Sequence, residues 1–305
     1  MGRQTQGILL ASGGAILWGI AGPVAQLLFD DYGVNLDWLI GSKMLIAGVI
    51  LLILGSFWPA QRRQILGIWR SRRSIMQLLI FTIFGMTAMQ YVYYKAVAVG
   101  NAATATILQF LSPIFIVLYI AFRYRTQPRR PDVIAIIAAL VGTYLLVSGG
   151  NPTKLTVAPA ALFWGIVTGI AAAAYVLLPE GLLDQYGSLA VSGWSMTIGG
   201  ILFNFRQPIW RDVPRLDWRG QLAYWFIVIL GSVVAYFVYL ASLQYISATA
   251  VGLLDAFEPL AATAVSVLYL HLKFGLAEII GTVLILSTVF ILAVAKPRSL
   301  EEKNN

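Results

Sequence analysis

The sequence predicts an all-α membrane protein of ten transmembrane helices arranged as two inverted five-helix repeats, and three observations carry that prediction. Of its 305 residues, 59% are hydrophobic and 11% charged, with a mean hydropathy of +0.80, whereas a soluble domain carries about 25% charged residues. Its apolar runs approach the length of about 20 residues that a bilayer crossing takes. The two halves also repeat their landmarks at one spacing. Trp18-Gly19-Ile20 recurs as Trp164-Gly165-Ile166 and Pro113 as Pro259, both 146 positions on, and the same step carries Tyr93 onto Tyr239 and Leu108 onto Leu254. Five spans per copy is an odd number, so the copies run in opposite directions through the membrane.

Taken in order, the apolar runs place spans at 7–29, 36–57, 74–98, 102–122 and 132–149 in the first half, residues 1–150. In the second half, residues 151–305, they fall at 158–183, 188–205, 219–244, 248–271 and 275–295, followed by a short C-terminal tail. Most have to be helices, because a segment in lipid must satisfy its backbone polar groups within itself. The run 7–29 is too long for a signal-peptide core and has no small-residue cleavage pattern, so it reads as the first span. The links at Gly100-Asn101 and Ile246-Ser247 are short enough to make their flanking helices antiparallel neighbours. The polar stretches 59–73 and 205–220 are loop-sized, which leaves no room for a soluble domain. Pro23, Pro113, Pro179 and Pro259 are expected to interrupt helices. Small residues at Gly13-Gly14, Gly199-Gly200 and 171–174 permit close helix approach.

The formal charge is +8. In a membrane chain Lys and Arg collect in cytoplasmic loops, so the charge points to orientation and not to nucleic acid. With the N-terminus inside, the inner side receives Arg3, then Arg62, Arg63, Arg70, Arg72 and Arg73, then Arg123, Arg125, Arg129 and Arg130, and finally Lys296, Arg298 and Lys303. The outer side receives Lys154, Arg206, Arg211, Arg215, Arg219 and Lys273. The first half favours this arrangement, while the second half alone favours its reverse. The expectation is a multi-pass protein of the cell (inner) membrane with both termini cytoplasmic.

Two carboxylates stand out. Asp255 and Glu258 lie about seven and ten residues into the ninth span, around 10–15 Å deep at roughly 1.5 Å per residue, and their spacing places them on one helix face. An intramembrane carboxylate costs about 2.5–3.5 kcal/mol, so it faces a cavity or a partner. The pair reads either as a proton relay or cation-binding pair, or structurally, as an internal salt bridge to Lys43 or Lys95 or as polar glue between helices. In the first half the matching positions are the neutral Gln109 and Ser112. That difference favours a substrate or proton role over an architectural one. Lys43 is deep in the second span and is positioned to counter a substrate carboxylate or to pair with Asp255 or Glu258; Lys95 reads as snorkelling to the interface.

Aromatic and amide side chains complete the candidate set. Gln90 and Tyr94 are one turn apart on the third span, Tyr236 and Tyr239 are one turn apart on the eighth, and Trp18 and Trp164 occupy matching mid-span positions. Deep aromatic faces hold cationic amines. Trp58, Trp69, Trp210 and Trp218 sit at loop edges and read as interfacial anchors. No Gly-x-x-x-x-Gly-Lys-Ser/Thr loop is present, cysteine is absent, and His271 is the single histidine. No catalytic residues, metal site or cofactor are therefore expected.

Ten spans as five plus five, with Trp18-Gly19 and Trp164-Gly165 in the first span of each half, resemble the drug/metabolite transporter superfamily in its two-EamA-domain form. So do the stretches 102–113 and 248–259, each leading from small residues to a proline in the fourth span of its half. The resemblance covers about 7–295. It implies a secondary transporter of small metabolites, with a central cavity lined mainly by the first, third and fourth spans of each half and with peripheral fifth spans. It does not name the substrate.

These readings together predict a secondary active transporter that moves a small amine-bearing metabolite, an amino acid or related compound, by alternating access, with proton coupling as an option. Its expected partners are the small-molecule substrate, the lipid bilayer and protons. The expected substrate contacts are Trp18, Gln90, Tyr94, Gln109, Trp164, Tyr236, Tyr239 and Asp255, with Asp255 and Glu258 handling protons and Lys43 as charge partner. The competing reading is a membrane scaffold or ligand sensor that moves nothing.

Overall fold

In lipid the backbone must bond to itself, and the chain answers with helices joined by tightly capped turns. The structure, a computed structural model, describes residues 2–125, 127–151, 155–246 and 248–294. Lys154, Ser247, Lys296, Arg298 and Lys303 lie outside the described residues. Among the described residues nine helices are long and apolar enough to cross a membrane: Arg3–Tyr32, Leu36–Ser56, Arg72–Val99, Ala102–Arg123, Arg130–Ser148, Pro159–Leu177, Trp218–Ser242, Ala250–Leu268 and Leu276–Ala293. These are spans one to six and eight to ten. The seventh lies within Glu180–Arg206, a helix of 27 residues that bends at Gly187 (φ 71°, ψ 160°), a conformation only glycine adopts without strain.

Local chemistry sets the span ends. Gly33 closes the first span in the left-handed region, and Asn35 caps the second by accepting from the Trp38 N–H. Asn101 accepts from the Thr104 N–H and starts the fourth span two residues after the third ends. Asp217 does the same for the eighth through Gly220. The expected sixth span, 158–183, stops at Leu177, because Pro179 has no amide hydrogen to continue the ladder and the chain restarts at Glu180. Pro23, expected to interrupt a helix, does not: Arg3–Tyr32 runs through it. The stretch 59–73 is not a plain loop, since Pro59–Gly67 is a short helix.

Packing exchanges elements between the halves. The first span packs on the eighth and ninth, the sixth packs on the third and fourth, the second pairs with the seventh, and the fifth pairs with the tenth. Residue numbers rise along the second span as they fall along the seventh: Gly41 meets Phe203, Gly48 meets Thr197 and Gly55 meets Leu189. The paired helices are therefore antiparallel, as inverted copies require. A Cβ on Gly48 would lie 2.5 Å from the Thr197 nitrogen, so small residues are what let these backbones touch.

The fourth span of each half is broken. One copy runs Ala102–Gln109, turns at Phe110 and Leu111, and resumes as Ser112–Arg123; the other runs Ala248–Leu254, turns at Asp255 and Ala256, and resumes as Phe257–Leu268. Pro113 and Pro259 cause it, because neither can donate to the carbonyl four residues back, on Gln109 and Asp255. The expected shared helix face for Asp255 and Glu258 is thereby corrected. Asp255 stands in the turn and Glu258 in the first turn of the next half-helix, while the Glu258 N–H donates to the Asp255 carbonyl at 2.9 Å.

The third and eighth spans each contain a wider π-helical stretch, Phe81–Thr87 and Phe226–Val234. Gly85 and Gly231 within them are again 146 apart.

Candidate functional site

The two broken helices and the first span of each half, together with the third and eighth spans, form most of the wall of the site. Gly19 lets the first span lie directly on the Glu258 carbonyl, where a Cβ would collide, and Gly165 gives the sixth span the same closeness to Leu108. The repeated Trp-Gly pair is thus a packing device that seats one half's first span on the other half's broken helix. Between them lies a cavity of about 660 Å³, ample for a metabolite.

Of the residues singled out in the sequence, Trp18, Lys43, Gln90, Tyr94, Gln109, Tyr236, Tyr239, Asp255 and Glu258 all line this cavity. Trp164 does not, which corrects its expected role. Its ring packs against Tyr91 and Phe163, centroids 6.0 and 5.4 Å away, because the sixth span turns its glycine face to Leu108 and its tryptophan toward the third span. Trp18 points inward, 5.0 Å from Tyr236 and 4.8 Å from Tyr239 between centroids. The repeat is symmetric in backbone and asymmetric in what it offers a ligand.

Each charged group has a neutral partner. The Tyr239 hydroxyl donates to Asp255 at 2.9 Å, the Gln109 amide donates to Glu258 at 3.2 Å, and the Lys43 ammonium donates to the Tyr94 hydroxyl at 2.9 Å. The second Asp255 oxygen is buried with no hydrogen-bond partner among the described residues. Three ion pairs are found there, Arg129–Asp132, Arg206–Asp37 and Arg211–Asp212, and none involves Asp255, Glu258, Lys43 or Lys95. The salt-bridge alternative for the carboxylates is not realised in this conformation. A cavity whose acidic and basic side chains are held apart can still bind a charged solute, since none of them is tied up by another.

Sequence reasoning missed several wall residues. Tyr175, hydrogen-bonded to Tyr236 at 3.2 Å, and Tyr93, hydrogen-bonded to Thr106 at 3.0 Å, both face the cavity. Ser188 and Ser192 of the seventh span line it too. Tyr175 stands alone near a span end and reads as an interfacial anchor, whereas for Tyr93 its repeat partnership with Tyr239 was the signal that could have found it. The tenth span, expected to be peripheral, contributes Val289 and Ala293.

The lining runs from Lys43, Tyr93 and Tyr94 past mid-membrane to Pro179, Leu183 and Leu243, at the ends of their helices on the face where the chain begins. On the opposite face the helices are tied together. Gln26 accepts from the Ala102 N–H at 2.9 Å, Tyr32 donates to Asp217 at 2.6 Å, Arg206 pairs with Asp37 at 2.9 Å, and Trp38 donates to the Ile209 carbonyl at 2.9 Å.

An all-helical membrane protein with a polar-studded cavity between two inverted copies, open to one face and latched at the other, has the form of a carrier. The EamA-like transporter family matches twice, over residues 5–148 and 159–294, and the chain belongs to that family. It is 36% identical to the uncharacterized inner membrane transporter YicL of Salmonella typhimurium over 98% of both chains. It is 26% identical to protein PecM of Dickeya dadantii, covering 85% of this chain and 86% of that one, and 23% identical to the uncharacterized transporter YwfM of Bacillus subtilis, covering 92% and 91%. One solved crystal structure aligns with a TM-score of 0.63 over 95% of this chain and 96% of its own at 16% identity, a likeness of fold alone. The protein is accordingly a multi-pass membrane transporter.

Proposed function

We propose that the protein is a secondary active transporter of a small amine-bearing metabolite, working by alternating access in the inner membrane with both termini cytoplasmic. The observation that carries this reading is the pair of carboxylates at a helix break: Asp255 and Glu258 line a mid-membrane cavity with no cationic side chain within 4.0 Å among the described residues. A ligand ammonium entering beside them meets the unpartnered Asp255 oxygen and the aromatic faces of Trp18, Tyr236 and Tyr239. Lys43 supplies the opposite charge deeper in, suited to a carboxylate on the same solute. A proton taken by Glu258 offers the alternative occupant that coupling needs. Discontinuous helices beside a midplane site recur in secondary transporters, and the inner-membrane location is supported by the name of the 36%-identical relative.

The test is a thermal-shift screen of the purified protein against amines, amino acids, carboxylates, sugars and nucleosides at several pH values, followed by flux of the hits in proteoliposomes. A ligand that binds the native state raises its apparent stability. Stabilisation by amine-bearing compounds with saturable flux is expected. Binding confined to anions or sugars contradicts the substrate class, and binding without flux favours the sensor reading.

A further inference from the structure

We propose that the segment between the second and third spans is a binding site for anionic phospholipid headgroups, placed against the kink that borders the cavity mouth. Phe57 and Trp58 follow the second span, the short helix Pro59–Gly67 comes next, and the third span begins at Arg72. Ile65 and Ile68 are buried and pin this segment to the protein body. Arg62, Arg63, Arg70, Arg72 and Arg73 are all exposed, and among the described residues none lies within 4.0 Å of a carboxylate. Five guanidinium groups on one short stretch, each carrying a planar set of donors, make a surface that recognises phosphate.

Two further features choose a lipid surface over a free phosphate ion. Phe57, Trp58, Leu66 and Trp69 are exposed among the arginines, Phe57 at 75% and Leu66 at 52%. Aromatic and aliphatic side chains interleaved with basic ones suit the headgroup boundary of a bilayer, where each kind finds its own depth. The corresponding loop of the other half provides the contrast. There Arg206 pairs with Asp37, Arg211 with Asp212, and Asp217 joins Tyr32. Two arginines of that loop find acidic partners within the protein, whereas none of the five arginines here does among the described residues.

The segment is also wired to the transport path. The Trp194 indole N–H donates to the Ile65 carbonyl at 3.0 Å, and the Trp69 and Trp194 rings meet edge-on at 4.9 Å. Gly187, where the seventh span bends, lies against Gln64, and Tyr186 shares a 2.9 Å hydrogen bond with Ser74. The next residue, Ser188, lines the cavity, as does Ser192 one turn on. A headgroup seated on the arginines therefore holds the helix that borders the cavity mouth.

Native mass spectrometry of the full chain, exchanged from detergent into mixed micelles of dioleoyl-phosphatidylglycerol and dioleoyl-phosphatidylcholine, tests this site. The wild type is expected to retain phosphatidylglycerol preferentially. The triple variant Arg62→Gln, Arg63→Gln, Arg70→Gln is expected to reduce that retention at least about tenfold, the matching Lys triple to keep most of it, and Arg211→Gln with Arg215→Gln on the other face to leave it unchanged. All substitutions are at exposed positions, and size-exclusion elution together with the unfolding midpoint identifies any variant that has lost its fold. If the glutamine triple misfolds, adding the soluble headgroup glycerol phosphate to the wild type gives the second reading: the lipid stays bound. Equal retention of both lipids, undiminished retention in a folded glutamine triple, or displacement of phosphatidylglycerol by millimolar inorganic phosphate overturns the proposal.

Discussion

Gln109 of the first half donates its side-chain amide to Glu258 of the second at 3.2 Å, so the two broken helices hold each other by a bond between non-equivalent positions. The repeat equivalent of Gln109 is Asp255, and that of Glu258 is Ser112. The contact therefore exists only because the copies diverged. Gln109→Ala leaves Glu258 without its donor inside the protein. A loss of stability of about 1–2 kcal/mol is expected, read as a lower unfolding midpoint, together with a shifted pH profile of transport. An unchanged profile would show that Gln109 does not govern Glu258.

Trp18 and Trp164 occupy matching places in the sequence and different surroundings in space. Trp18→Ala is expected to raise the KM for substrate at least about tenfold, through loss of an aromatic wall, with little effect on the unfolding midpoint. Trp164→Ala is expected to do the reverse, costing about 2 kcal/mol of packing at nearly constant KM. Flux kinetics and thermal unfolding on both variants separate the roles, and equal effects on KM would return Trp164 to the site.

The seam between the second and seventh spans is set by backbone contact. Gly48→Leu is expected to destabilise the protein by about 3 kcal/mol, since its side chain has nowhere to go beside Thr197. Gly13→Leu is the control, because no atom lies within 4 Å of a Cβ built there. Similar unfolding midpoints for the two would contradict the close packing.

Asp217 caps the eighth span at the latched face. The Gly220 N–H and the Tyr32 hydroxyl both donate to it and hold its carboxyl below the usual carboxylate range. A folded-state value below the unfolded one means that its contribution is present above about pH 4 and fades as the pH falls through the folded value. Asp217→Ala is expected to lower the unfolding midpoint at pH 7, with the gap to wild type closing below about pH 4. A gap independent of pH would assign the loss to shape alone.

Much of the architecture was legible in the sequence because lipid permits few solutions. The span count, the repeat and its inversion follow from apolar length, the Trp-Gly and Pro landmarks, and parity. The breaks at Phe110-Leu111 and Asp255-Ala256 were signalled by Pro113 and Pro259, but their consequence for Asp255 and Glu258 was not, because a proline does not show in sequence how far before it the helix stops. Nine of the ten candidate site residues reached the cavity, since an intramembrane polar group has few other places to point. Trp164 failed because its direction depends on which face of the sixth span Gly165 presses against Leu108. Tyr175 was invisible for a related reason, as tertiary partners on other spans, Tyr236 and Phe81, draw it inward.

The most direct test of the proposed mechanism is substrate flux into proteoliposomes under an imposed pH gradient, comparing wild type with Glu258→Gln, which keeps the shape and the hydrogen bond but cannot exchange a proton. Gradient-driven accumulation is expected in the wild type and is expected to fall at least about a hundredfold in the variant, while substrate exchange without a gradient and the unfolding midpoint persist. Undiminished gradient-driven accumulation by Glu258→Gln would contradict the mechanism and remove Glu258 from it.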